Sequence, residues 1–308
     1  MPAAKPPILV TGATGRVGGT GRHVAAELLS RGLPVRAVVR RFDERSEELR
    51  GMGIEVVIGD FADYASILAA LDGVEAAYFS YPVGAGIAEA AGFFAAAGRQ
   101  QGLQRVVDLS LDAAFPDSPS PQGRAQWVAE RIFEWAGFDG THLRVAAFFM
   151  ENLISLHGQQ IRELGQIRNS FGDFEPSWIA ASDVGAMGAA LLADPGLVAD
   201  RTTTVGAAER ASHAAIAETV SKATGRSVHY QPIAPEEWRE LIANTSAAGQ
   251  ANLTAAAHLS AQSITLRQHS THLVTDDIQR LTGRPAITLK DFVERNRQDF
   301  MTDRDVEK

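Results

Sequence analysis

The 308-residue chain contains no cysteine. No disulfide framework, thiolate zinc site, iron–sulfur cluster or cysteine nucleophile can be built from it. Nor is there a surplus of cations: 29 lysines and arginines stand against 37 acids, a net charge of −8. A phosphate-backbone partner leans on clustered positive charge, so a nucleic-acid partner is not expected. No apolar run reaches the roughly 18 residues of a membrane span, and no membrane partner is expected. The opening Met1-Pro2-Ala3-Ala4-Lys5-Pro6-Pro7 is too short, and too soon followed by a strand, to read as a secretion signal. The expected location is cytoplasmic. There is no internal repeat and no long linker. His269 and His272 have a metal-like spacing but no evident third ligand, so they read as a surface pair and no metal is expected.

What is present is a globular composition, 45% hydrophobic and 21% charged, long enough to bury a large core. Short β-branched runs alternate with helical stretches. Ile8-Leu9-Val10 leads through a glycine-rich turn into a helix carrying Val24, Ala25 and Leu28. Strands follow at 35–39, 54–58, 76–79, 105–109 and 143–149, with helices between them. Continuous apolar strands separated by helices indicate a parallel sheet covered on both faces. The fold class is α/β: a Rossmann-type doubly wound parallel sheet over residues 1–150. Residues 151–308 are expected to form a smaller, mainly helical C-terminal lobe that packs on it and supplies one wall of a cleft.

The turn reads Thr11-Gly12-Ala13-Thr14-Gly15-Arg16-Val17-Gly18, after a strand and before a helix. Tight turns use glycine at positive φ, and phosphate needs close backbone approach plus a helix N-terminus. Gly12, Thr14, Gly15, Arg16, Val17 and Gly18 are therefore the expected dinucleotide contacts. Gly15, Gly18 and Gly21 repeat the spacing a turn later, leaving the register open. The second strand ends Val39-Arg40 where an acid would select NAD. Six arginines against four acids crowd residues 31–50. A guanidinium at Arg40 suits a 2′-phosphate, so NADP (NADPH) is the expected cofactor, with Arg41 and Arg45 read as a solvated helix face. Strand ends carry ligands in open parallel sheets, which places Asp60 and Phe61 near the adenine, and Ser80, Tyr81 and Pro82 beside the nicotinamide ribose.

Together, Val10-Thr11-Gly12-Ala13-Thr14-Gly15, Val39-Arg40, Gly59-Asp60-Phe61-x-Asp63, Phe148-Phe149-Met150-Glu151-Asn152 and Thr282-Gly283-Arg284-Pro285 resemble the NmrA-like family. This family is an atypical branch of the short-chain dehydrogenase/reductases. The resemblance implies a dinucleotide fold with a small C-terminal lobe. It also implies one of two activities, an NADPH-dependent reductase of quinones, dyes and related compounds, or a non-catalytic redox sensor that binds a regulatory protein.

Most short-chain dehydrogenases carry serine and a Tyr-x-x-x-Lys pair. Ser110 matches the serine, but the tyrosine and lysine positions fall on Gln122 and Gln126. Neither glutamine is a general acid near neutral pH. Val128, Ile132 and Trp135 read as the inward stripe of this helix, with Gln122, Gln126 and Glu130 on the other side. Gln126 then either bonds a ribose or substrate carbonyl, or is solvated. Candidate catalytic groups are Ser110, Tyr81 and Gln126, and Ser110 and Gln126 double as cofactor contacts. Phe148, Phe149, Asn152 and Trp178 are candidate substrate contacts for a flat aromatic ligand.

A simple ketone becomes an alkoxide and needs a proton at once. A quinone becomes a phenolate-like anion whose conjugate acid titrates near about 10. The expected activity is hydride transfer from NADPH to a quinone-like or other conjugated acceptor, without the Tyr-x-x-x-Lys relay. A redox sensor is the alternative, and an epimerase lacks its usual tyrosine and lysine. A homodimer is compatible with either.

Overall fold

The computed structural model describes residues 5–15, 19–197, 200–245, 252–268 and 273–302. β1 (Ile8–Val10), buried throughout, leads to α1 (Thr20–Ser30), which buries Val24, Ala25 and Leu28. β2 (Val35–Val39) precedes α2 (Glu44–Gly51), which opens with a reciprocal cap. Here the Asp43 carboxylate accepts from the Ser46 amide while the Ser46 hydroxyl accepts from the Asp43 amide. Then come β3 (Glu55–Ile58), α3 (Tyr64–Ala70), β4 (Ala76–Phe79), α4 (Ile87–Gln101), β5 (Arg105–Leu111), α5 (Pro121–Trp135) and β6 (Asp139–Val145). These strands pair in parallel in the order β3–β2–β1–β4–β5–β6, the doubly wound arrangement. The order reverses between β1 and β4, and ligands of such sheets bind outside the strand ends at that point.

The chain then builds β7 (Phe148–Phe149), α6 (Asn152–Leu164), β8 (Gln166–Asn169) and β9 (Ser177–Ile179). It returns to the sheet as α7 (Ala181–Ala193) and β10 (Thr202–Val205), a seventh strand outside β6. It finishes with β11 (Glu209–Arg210), α8 (His213–Thr224), β12 (His229–Pro232), α9 (Pro235–Thr245), α10 (Asn252–Gln268), α11 (Asp277–Thr282) and α12 (Leu289–Arg295). The last is capped by the Thr288 hydroxyl, which accepts from the Asp291 amide.

Two units result. The first comprises Met1–Ser118, Gly123–Val145 and Ala181–Thr204; the second comprises Pro119–Gln122, Ala146–Ala180 and Val205–Lys308. The first unit runs to Val145, and the second is not continuous, because Ala181–Thr204 belongs to the first. The reason lies in α7, where Ala181 and the residues from Asp183 to Leu192 are all buried. Gly188 of α7 faces Tyr78 and Val24 so closely that a Cβ there would lie 2.8 Å from the Tyr78 ring. The strand expected over 143–149 is also two strands. The Ala146 amide donates to the Val205 carbonyl, and the Ala146 carbonyl accepts from the Leu273 amide. Phe148 and Phe149 then pair with Trp178 and Ile179 in a separate sheet. No helix among the described residues is long and apolar enough to cross a membrane.

In the first core, Phe79 meets Phe133 at 5.0 Å and Phe94 at 5.1 Å between ring centroids. Gly21 sets how closely α1 approaches β1, since a Cβ there would overlap the Thr11 carbonyl and the Ala13 amide. Gly92, inside α4, has nothing near its missing Cβ. Gly21→Ala is expected to lose about 1–3 kcal/mol in denaturant unfolding through overpacking, while Gly92→Ala gains up to about 1 kcal/mol of helix propensity. Equal effects at the two sites would contradict this packing.

Candidate active site

The glycine turn occupies the point where the sheet order reverses. Gly12 has φ 71°, and a Cβ on it would lie 3.2 Å from Ser80 Oγ. The Thr11 hydroxyl donates to the Ser80 carbonyl (2.9 Å) and accepts from the Ser80 amide (2.7 Å), lacing the ends of β1 and β4 together. The Gly15 amide closes back on the Gly12 carbonyl at 3.0 Å. Gly19 precedes α1 at φ 43°, and no side chain caps the helix. A bare backbone cradle with uncapped first-turn amides fits a pyrophosphate. Gly12 supplies a turn at positive φ and Gly21 the close helix–strand contact. Arg16, Val17 and Gly18 lie outside the described residues.

Around the turn, Arg40 is exposed and makes no ion pair among the described residues. Arg41 lies 3.9 Å from Asp43. Arg45 differs from the solvated-face reading, because its guanidinium donates to the Thr14 carbonyl (2.7 Å) and pairs with Asp43 (2.8 Å). It thereby ties the glycine turn to the start of α2. The neighbouring Arg45 bond holds the Asp43 carboxyl below its usual range. Asp60 is exposed, with its carboxylate accepting from the Ala62 amide. Phe61 sets its ring against Phe79 (5.6 Å) and Tyr81 (5.7 Å). Partial burial raises the Tyr81 pKa while the Arg40 charge opposes the shift, and its hydroxyl donates to the Ala85 carbonyl at 3.3 Å. Ser80 is half-buried and Pro82 exposed. Gly12, Thr14, Gly15, Arg40, Ser80, Tyr81 and Pro82 thus all belong to the first unit and to its β1, β2 and β4 ends.

The helix α5 buries a different face from the expected one, with Ala129 and Phe133 in the core and Ile132 packed against it. Trp135 is 77% exposed, whereas Gln122, Gln126 and Glu130 are buried, at 2%, 3% and 0%. A solvated Gln126 is therefore excluded. Its amide donates to the Leu109 carbonyl at 3.2 Å and lies 3.5 Å from both oxygens of Asp108. Glu130 explains the orientation. Its carboxylate takes a bidentate Arg144 guanidinium (2.8 and 2.5 Å) and the Ser110 hydroxyl (2.6 Å). Ser110 is fully buried, so it serves Glu130 rather than an open site. Beside it, Asp108 meets His142 at 3.2 Å. Desolvation pushes the Asp108 pKa up to about 6, against the His142 hydrogen bond.

Of the substrate candidates, Phe148 and Trp178 are core-like, and the Trp178 indole donates to the Ala211 carbonyl. Phe148, Asn152 and Trp178 nevertheless line one cavity in the second unit, of about 20 Å³, with Leu156, His157, Phe171, His213, Trp238 and Leu259. Phe149 does not line it. The two histidines and Trp238 were not singled out by sequence reasoning. The available signal is the stripe Leu153, His157, Gln160, Ile161, which marks the buried face of α6. Burial lowers the pKa of His157 to about 4 and that of His213 well below its ordinary value. His258, bonded to Ser120 at 2.7 Å, is likewise lowered to about 4 by burial. The described residues hold no cluster of three or more metal-binding side chains.

A model of the NmrA-like family matches residues 4–265. An NAD(P)H azoreductase of Xenophilus azovorans is 29% identical over 287 residues, covering 92% of this chain and 96% of that protein. A (4-alkanoyl-5-oxo-2,5-dihydrofuran-3-yl)methyl phosphate reductase of Streptomyces griseus subsp. griseus is 30% identical, with 92% and 96% covered. The NADPH-dependent quinone oxidoreductase of Escherichia coli, solved with NADPH, superposes with a TM-score of 0.78 at 21% identity, over 94% of this chain and 99% of that one. This last likeness is one of fold.

The buried titrating groups set a pH dependence of stability. His157, His213 and His258 stay neutral in the folded chain but protonate near 6.5 when unfolded, so their contribution is lost as pH falls below 6.5 towards 4. Asp108, with its folded pKa raised, works oppositely and is lost as pH rises through about 6. Each group contributes a slope of at most about 1.4 kcal/mol per pH unit. Three against one predicts that stability falls on acidification from 6.5 to 4.5. In thermal unfolding, His258→Asn flattens this fall and Asp108→Asn steepens it; a flat wild-type profile would refute the assignment.

Proposed function

The chain belongs to the NmrA-like family, and from that premise we propose that it is an NADPH-dependent oxidoreductase delivering hydride to a quinone-like or other conjugated acceptor. The observation that carries the choice of acceptor is the pair Gln122 and Gln126, both buried on α5 where a tyrosine–lysine proton relay is expected. The Gln126 amide donates into the sheet, and the Ser110 hydroxyl donates to Glu130. Neither is free to protonate an alkoxide. A conjugated acceptor needs little such help, because its reduced anion is weakly basic. The azo compound and the dihydrofuranone in the relatives' names are both conjugated, which supports this reading.

The bound cofactor supplies hydride from its nicotinamide ring. The protein's part is holding and orienting. Gly12, Gly15 and the N-terminus of α1 would hold the pyrophosphate. Arg40 would take the 2′-phosphate, while Arg45 fixes the turn through the Thr14 carbonyl. Phe61 and Asp60 would border the adenine, and Ser80, Tyr81 and Pro82 the nicotinamide ribose, with Tyr81 supplying a hydroxyl there.

Calorimetric titration with NADPH, NADP+, NADH and NAD+ tests the cofactor. The phosphorylated pair is expected to bind more tightly, and Arg40→Ala to weaken NADPH about 10–100-fold, the value of a charge-assisted contact, while leaving NADH unchanged. In steady-state assays 1,4-naphthoquinone is reduced and cyclohexanone is not. A protein that binds NADPH but reduces no conjugated acceptor is a sensor, and the reductase reading falls.

A further inference from the structure

The Thr14–Gly15 peptide of the glycine turn is held at both ends. Its carbonyl accepts from the Arg45 guanidinium at 2.7 Å, and its N–H donates to the Gly12 carbonyl at 3.0 Å. A second terminal nitrogen of Arg45 donates to one oxygen of the Asp43 carboxylate at 2.8 Å. The other oxygen of that carboxylate accepts from the Ser46 amide at 3.2 Å, which fixes it at the start of α2. A chain of contacts thus runs from a helix end, through a carboxylate and a guanidinium, to one carbonyl of the turn. On its other side the turn is tied to β4 through Thr11 and Ser80.

The direction of this one carbonyl matters to an anion. A turn that binds phosphate presents N–H groups, and in a trans peptide the N–H and C=O point opposite ways. A peptide that rotates replaces a donor with a carbonyl oxygen, whose partial negative charge repels phosphate. Glycine resists such rotation little, and this peptide ends on Gly15, with Gly12 nearby at φ 71°. Arg45 supplies the resistance through a charge-assisted bond. Arg40 belongs to the same arginine-rich stretch but is employed differently, being exposed and without an ion pair among the described residues. Both terminal nitrogens of Arg45 are instead engaged within the protein.

We propose that Arg45 is a positioning residue for the pyrophosphate cradle, acting through the Thr14 carbonyl without touching the cofactor. It sets the affinity for the part that NAD and NADP share and leaves the choice between them to Arg40, with Asp43 as its anchor. The assignment rests on the dinucleotide reading and deepens it, by dividing the arginines of one stretch between two tasks.

The test titrates the full chain calorimetrically with NADPH, with NADH and with two fragments. ADP carries the pyrophosphate, and adenosine 2′-monophosphate carries the 2′-phosphate alone. Arg45→Met keeps the aliphatic stem and removes both donors. It is expected to weaken NADPH, NADH and ADP alike, about tenfold, the worth of one charge-assisted hydrogen bond, and to leave adenosine 2′-monophosphate unchanged. Arg40→Ala gives the reverse pattern with the two fragments. In steady state the KM for NADPH and for NADH rises by one common factor in Arg45→Met, with kcat held at saturation. Asp43→Asn keeps the helix cap and loosens the anchor, so the same pattern is expected at about two- to fivefold, which keeps the test decisive if the methionine variant fails to fold. Weakening of NADPH and adenosine 2′-monophosphate alone means that Arg45 contacts the 2′-phosphate. Equal weakening of all four ligands means a general loss of structure, and unchanged affinities mean that the bond to Thr14 positions nothing. Each of these three results overturns the proposal and leaves the dinucleotide reading intact. A wild-type chain that binds none of the four ligands removes that reading and the proposal with it.

Discussion

A carboxylate buried between a helix and a sheet governs the first unit. Glu130 has no exposed surface, and it is tolerated there because Arg144 grips it bidentately while Ser110 donates to it. These three residues come from α5, β6 and β5, so the ion pair can form in only one register of the three. Such a pair adds little net stability compared with an apolar replacement, but breaking it leaves an uncompensated charge at a cost of about 3–5 kcal/mol. Its effect is to select one docking of α5. Once Glu130 faces inward, Gln126, one turn earlier, must follow, and its amide finds Leu109 and Asp108. Trp135, on the opposite side, is turned out to 77% exposure.

The same constraint decides which groups remain available for chemistry. With Ser110 and Gln126 absorbed into the buried network, the first unit keeps the backbone cradle, Arg40 and the Ser80-Tyr81-Pro82 segment. Arg45 serves the cradle from another direction, clamping the Thr14 carbonyl while pairing with Asp43. The second unit concentrates aromatic rings and neutral imidazoles.

Much of this was legible in the sequence because local chemistry dominates it. The strands from Ile8 to Leu111 follow from short apolar runs set between helical stretches. The inward face of α5 was not legible. Val128, Ile132 and Trp135 make the better apolar stripe, and it takes Arg144 and Ser110, from two different strands, to let Glu130 be buried. The return of Ala181–Thr204 to the sheet was hidden similarly, since an alanine- and glycine-rich helix looks alike in either unit until Gly188 meets Tyr78. Arg45 looked solvated because its acceptor is a backbone carbonyl thirty-one residues away. The close approach of Gly21 to the Thr11 carbonyl was hidden too, because spacing alone does not show which glycine meets the strand. The histidines of the second unit were spread over α6, α8 and α10, and nothing in one dimension brings them together.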